Sequence, residues 1–146
     1  MSDFDEFVKE LQDEINKDVQ REYSPNSLDL ISRRPNYGHM EDANASGTTT
    51  EDSGDAMTMF LQINTSQVIE KTTYTTNACK PALACGSQVT FLVLGKTIQQ
   101  AKAIDAGTIA RALGKFPEEH RHFIDLAYRA LREALISYQG EIIDYE

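Results

Sequence analysis

One stretch of side-chain alternation and one of β-branched residues, followed at once by a helical pattern, constrain this chain more than any other feature. Met57, Met59, Leu61 and Ile63 alternate with Thr58, Gln62 and Asn64, the period of two expected of a half-buried strand, with Phe60 the one apolar residue on the polar side. Asn64-Thr65-Ser66-Gln67 supplies turn residues, and Val68 to Thr76 is rich in β-branched side chains, so the pair predicts an antiparallel hairpin. After Pro81 the spacing is helical from Ala82 to about Leu94, with Gly95 as the stop. Cys79, one of two cysteines, falls between the hairpin and this helix. A thiol at a strand end, beside the N–H groups of a following helix, is placed to bind a soft metal or to attack.

The remaining pattern is mostly helical. Phe4, Phe7, Val8, Leu11, Ile15 and Val19 recur at helical spacing, which predicts an amphipathic helix over residues 3–23 ending before Pro25. Residues 32–56 are rich in Ser, Gly, Asn, Asp, Thr and Pro and read as a long irregular loop, a length that points to function or disorder. Thr97-Ile98-Gln99-Gln100 offers a capping box for a short helix to about Ile104, and Thr108 to Leu113 reads as another, closed by Gly114. Pro117-Glu118-Glu119 opens a final long helix, whose core face is Phe123, Leu126, Ala127, Ala130, Leu131, Ala134 and Tyr138, with Gly140 as its stop. Helices, a small antiparallel sheet and helices again make an α+β domain with a long C-terminal helix, a single domain over residues 1–146.

Charge narrows the function. Lys and Arg number 14 against 23 Asp and Glu, a net charge of −9, and the cations do not cluster, so nucleic-acid binding is not expected. No apolar run approaches the ~20 residues of a membrane span, and Met1 to Glu6 lacks the basic and apolar regions of a signal peptide. A cytoplasmic protein is expected, in which Cys79 and Cys85 remain reduced thiols.

The chain contains no phosphate-binding glycine loop, no H-E-x-x-H and no C-x-x-C. Cys79 and Cys85, six residues apart across a strand-to-helix turn, do not have a recognised chelating spacing, and the ordinary reading of either is an inert thiol. His120 and His122 stand at the start of the last helix, where the dipole favours neutral imidazole, the form that ligates a metal or accepts a proton. Ser53-Gly54-Asp55, just before the first strand, offers a hydroxyl and a carboxylate.

The order of these pieces resembles the U-type iron–sulfur scaffold family, the IscU, SufU and NifU N-terminal domains. Arg34-Pro35-Asn36-Tyr37-Gly38 through Ala43-Asn44-Ala45-Ser46-Gly47 is similar to the family's entry loop N-P-R-N-x-G…A-x-A-x-G. Ser53-Gly54-Asp55 lies where the family has C-G-D, and Asn77 to Ser87 resembles G-C-x-x-x-x-A-S-S-S. Gly95-Lys96-Thr97 with Gln100, Ala101 and Ile104 resembles G-K-[ST]…A…I, and Pro117 through Arg121-His122-Phe123-Ile124-Asp125-Leu126-Ala127 stands for P…x-H-C-x-x-L-A.

The resemblance implies an iron–sulfur cluster assembly scaffold or carrier and not an enzyme. The family holds its cluster or a zinc ion with three cysteines and an aspartate, helped by a histidine. By position Asp55, Cys79 and His122 are retained, while the first cysteine is Ser53 and the third is Phe123. Thiolates suit iron–sulfur clusters; a serine hydroxyl is hard and protonated, and phenylalanine cannot ligate. Cys85 is the candidate substitute. The implied ligand set is therefore Cys79, Asp55 and His122 with Cys85, holding iron or a labile cluster, or alternatively zinc. The implied partners are a cysteine desulfurase as sulfur donor and apo-protein acceptors, with a homo-oligomer as a further expectation. A module of the same fold that binds a partner and no cluster is the other reading.

Overall fold

A computed structural model describes residues 22–143 of the chain, and the helix expected over 3–23 lies almost wholly outside them. In chain order the elements are α1 (Pro25–Arg33), β1 (Ala45–Thr50), β2 (Ala56–Ile63), β3 (Ile69–Thr76), α2 (Lys80–Val93), α3 (Ile98–Lys102), α4 (Ala106–Leu113), a 3-10 turn (Glu118–His120) and α5 (His122–Ile143). The strands form an antiparallel sheet in the order β1-β2-β3. This is the expected α+β architecture. Among the described residues no helix is long and apolar enough to cross a membrane.

The hairpin follows the alternation in the sequence. Met57, Met59, Leu61 and Ile63 are buried, and Met57 to Ile63 pair with Thr76 to Ile69, with an irregularity at Gln62/Ile63. Phe60, the exception on the polar face, is covered by the His39 ring, edge-on at 4.8 Å between centroids.

Two expectations are corrected here. The irregular loop expected over 32–56 contains β1, whose residues Ala-Ser-Gly-Thr-Thr-Thr carry little hydrophobicity. The strand is small-residued because α5 lies directly on it: a Cβ on Gly47 would stand 2.2 Å from the Ala134 backbone nitrogen. Asn44 extends the β1–β2 pairing with its side chain, which donates to the Ile63 carbonyl at 2.7 Å and accepts from the Ile63 N–H at 2.8 Å. Pro25 also opens a helix that the sequence pattern did not reveal, α1, with Ser24 as its N-cap accepting from the Ser27 N–H, a use of proline in the first turn that leaves no donor wasted. Second, Gly140 does not close α5, which runs on to Ile143; a single interior glycine costs a helix only ~1 kcal/mol.

Pro117 leads into the 3-10 turn Glu118–His120, and α5 begins only at His122, later than the sequence pattern predicts; the remaining helix signals behave as expected. Thr97 and Gln100 form a reciprocal capping box at α3, and Gly95 takes the positive φ of +80° after α2. Asp105 caps α4 by accepting from the Thr108 N–H at 2.8 Å.

Helix α2 is buried on nearly every side, from Pro81 to Thr90 and again at Val93, so it shows no polar face to read. It packs on β3, α1 and α5. Small residues permit this. The Tyr74 ring from β3 lies so close to Gly86 that a Cβ there would be 2.3 Å from it. The Tyr74 hydroxyl donates to the Leu83 carbonyl and pairs with the Ser87 hydroxyl, both at 2.8 Å. Sheet, α2 and α5 thus fix the end of the molecule where the β1–β2 turn, the start of α2 and the start of α5 come together.

Candidate functional site

The β1–β2 turn is built by its own backbone. The Glu51 N–H donates to the Asp55 carbonyl at 2.8 Å, and the Gly54 N–H donates to the Glu51 carbonyl at 2.9 Å. Gly54 sits at φ +96°, a conformation that favours glycine. The Ser53 hydroxyl is exposed and accepts from the Asp55 N–H at 3.4 Å, so it serves the turn. Asn77 ties this turn to the end of β3: its Oδ1 accepts from the Ala56 N–H at 2.8 Å and its Nδ2 donates to the Gly54 carbonyl at 3.1 Å. Thr76 adds a bond from its hydroxyl to the Ala56 carbonyl at 2.6 Å and accepts from the Ala78 N–H at 3.1 Å. The strand end that carries Cys79 and the turn that carries Asp55 are therefore held as one unit.

Cys79 is the N-cap residue of α2, in extended backbone, with no side-chain capping bond. It is exposed. Its thiol is raised above the ordinary cysteine range, first by partial desolvation and also by the negative charge of Asp55 nearby. Cys85 lies one and a half turns further on, fully buried in the core, and burial pushes its thiol far up. The helix points it into the core and away from the site.

At the start of α5, Phe123 occupies the position where a third cysteine was expected by resemblance. Its ring is 3 % exposed and is flanked by both histidines, stacked on His120 at 6.0 Å and tilted against His122 at 4.1 Å between centroids. His122 itself is exposed. One of its ring nitrogens, a carboxylate oxygen of Asp55 and a carboxylate oxygen of Glu51 all lie within 4.8 Å of one another.

The structure thus brings Asp55 and His122 together and sets Cys79 within the electrostatic reach of Asp55, outside that 4.8 Å group. It also contributes Glu51, which sequence reasoning missed. The one signal available was position: Glu51 is four residues before Asp55, the span of the turn. Chemically, the arrangement combines one accessible thiol with a carboxylate–imidazole cluster, suited to handling a cation and a sulfur atom side by side.

Compared with known proteins, residues 22–144 match the model of the NifU-like N terminal domain. The chain is 35 % identical over 117 residues to iron–sulfur cluster assembly scaffold protein IscU 1 of Archaeoglobus fulgidus, covering 80 % of this chain and 76 % of that one. It is 34 % identical over 126 residues to the scaffold protein IscU of Aquifex aeolicus, covering 83 % and 80 %. In fold it is similar to FiSufU from Fervidobacterium islandicum AW-1, with a TM-score of 0.59 at 16 % identity over 80 % of this chain and 98 % of that one. A NifU-like N-terminal structure from Brucella abortus aligns with a TM-score of 0.52 at 19 % identity, over 82 % and 83 %.

Proposed function

Because the chain belongs to the NifU-like N-terminal domain family, we propose that it serves iron–sulfur cluster assembly as a scaffold or carrier with a reduced ligand set, Cys79, Asp55 and His122. The observation that supports this most is the placement of Cys79: an exposed thiol at the cap of α2, beside the Asp55 turn. Iron, sulfur or a labile cluster is the cargo. The implied partners are a cysteine desulfurase and apo-protein acceptors.

One accessible thiol is enough to receive sulfur. The Cys79 thiolate attacks the outer sulfur of a persulfide on the donor enzyme, the donor's S–S bond breaks, and the donor leaves as its own thiolate. Sulfur changes carrier with no net oxidation. The Cys79 proton must leave first, which the Asp55 charge opposes and a bound cation would favour. Cys85, fully buried, joins the set only if α2 moves.

Incubation without oxygen with a cysteine desulfurase and cysteine should add one sulfur to Cys79, read by intact mass. Iron and sulfide should then give visible absorbance that disappears in Cys79→Ala. If neither the mass increase nor the absorbance is found, the assembly reading fails.

The burial of Phe123 favours a second reading, a partner-binding module that carries no cluster. Under it, the chain binds a desulfurase or an acceptor equally well with Cys79→Ala.

A further inference from the structure

We propose that the acidic segment over residues 3–21, with its apolar stripe, docks on the chain's own surface in the groove between α3 and α5. The proposal stands apart from the assembly reading and rests on the chemistry of the groove, the chemistry of the segment, and the point at which the two are joined.

The groove is apolar at its floor and cationic at its rim. Leu131 and Leu135 of α5 are buried at its base, while Ile136 beside them is 51 % exposed. Its charged lining residues are Lys102 at the end of α3 and Arg132 on α5, both exposed, and no carboxylate lines it among the described residues. Arg132 lies over the Tyr128 ring at 5.7 Å. Among the described residues neither cation has an ion-pair partner. In a chain of 23 acidic residues against 14 basic ones, such a groove suits an apolar visitor that carries negative charge.

The segment has that chemistry. Phe4, Phe7, Val8, Leu11, Ile15 and Val19 recur at the spacing of one helix face. Residues 1–21 hold seven acidic side chains against three basic ones, and Glu14 and Asp18 border the stripe four positions apart. An apolar stripe of this length gains by leaving water for a matching surface, and a groove that takes side chains at i, i+3, i+4 and i+7 offers one. The segment lies ahead of the matched family region, which begins at residue 22.

The chain also emerges within reach. Tyr23 packs edge-on against Phe116 at 5.3 Å between centroids, and the Ser24 N–H donates to the Lys115 carbonyl at 2.8 Å. Residue 22 is thereby held beside the loop that leads through Pro117 into α5. At ~1.5 Å per residue, Tyr128 and Leu135 stand about 9 and 20 Å along α5 from His122. Roughly twenty residues at the same rise span about 30 Å. The segment can therefore cover the whole groove from its point of attachment, and no second molecule is required.

Amide hydrogen exchange of the full chain, read by peptide mass spectrometry, tests the docking. Amides over residues 7–19 should exchange about tenfold or more slowly than in the same segment made as a free peptide. Lys102→Glu together with Arg132→Glu should abolish that protection, and adding Glu14→Lys and Asp18→Lys should restore it in part. Ile136→Asp, a change at an exposed side chain, should abolish it as well. Unchanged exchange over Met57 to Ile63 verifies that each variant keeps its core. Exchange as fast as the free peptide's in the parent chain overturns the proposal. Protection that survives both Ile136→Asp and the double reversal in folded variants does so too. Protection that fades on dilution, with a dimer mass by light scattering, also overturns it, since the groove then holds a second copy's segment.

Discussion

The side-chain amide of Asn77 clamps Ala56: its Oδ1 accepts from the Ala56 N–H at 2.8 Å, as a strand residue would, while its Nδ2 holds the neighbouring Gly54 carbonyl at 3.1 Å. Together with the Thr76 hydroxyl, this residue locks the turn bearing Glu51 and Asp55 to the segment leading to Cys79. Asn77→Ala removes both bonds and is expected to cost about 1–2 kcal/mol in all, read as a lower denaturation midpoint. Amide exchange at Ala56 should rise more than at Met59. An unchanged Ala56 amide would mean that the turn is held by other contacts.

Gly47 is a packing requirement. The Cβ of an alanine there would stand 2.2 Å from the Ala134 nitrogen and 2.4 Å from the Glu133 carbonyl carbon, both backbone atoms. Gly47→Ala must push α5 off β1, and a loss of about 3 kcal/mol or more is expected. Ser46→Ala, whose side chain is exposed, should leave the melting temperature nearly unchanged. Equal melting temperatures for the two variants would refute the close contact.

The two thiols should separate by reactivity. Native protein treated with iodoacetamide is expected to take one label, at Cys79, slowly because its thiol is raised. Cys85 should label only after denaturation, since it is fully buried. Two labels entering the native protein at similar rates would contradict the packing of α2.

Alkaline pH should unfold the protein through its buried phenols. Tyr74 is pushed up to about 12, mainly by burial, and Tyr23 likewise to about 12. An unfolded tyrosine ionises near 10, so the unfolded chain loses its protons first. Stability is complete below about pH 10 and falls as pH rises toward 12. Tyr74→Phe should lower stability at pH 8, because the bonds to Leu83 and Ser87 are lost, yet flatten the alkaline decline. Urea midpoints from pH 8 to 11 provide the measurement; an equally steep decline in the variant would show that Tyr74 is not responsible.

Legibility in the sequence tracked how far each element is governed by its own residues. The hairpin was readable because one face of β2 is buried, which forces Met57, Met59, Leu61 and Ile63 into register. The capping box at Thr97 and Gln100 was readable because it is closed within four residues. β1 was not. Its inward positions are Ala45, Gly47 and Thr49 because α5 leaves no room for larger ones, so the hydrophobic alternation that signals a strand is missing.

The site divides in the same way. From sequence alone came Asp55, Cys79 and His122 as the retained positions of a family pattern, with Ser53 and Phe123 as the departures. That much is a matter of order along the chain. Where those side chains meet was settled by the tertiary structure, because the carboxylate and imidazole come from residues 67 positions apart in sequence (122 − 55 = 67). It added Glu51, which stands beside Asp55 and His122 only once the turn is packed against the last helix. It also sent Cys85 into the core, because a thiol one and a half turns into α2 follows the helix's buried side. Residue chemistry and spacing fix what a chain has to work with; which donors converge depends on contacts between distant segments, and these no local pattern encodes.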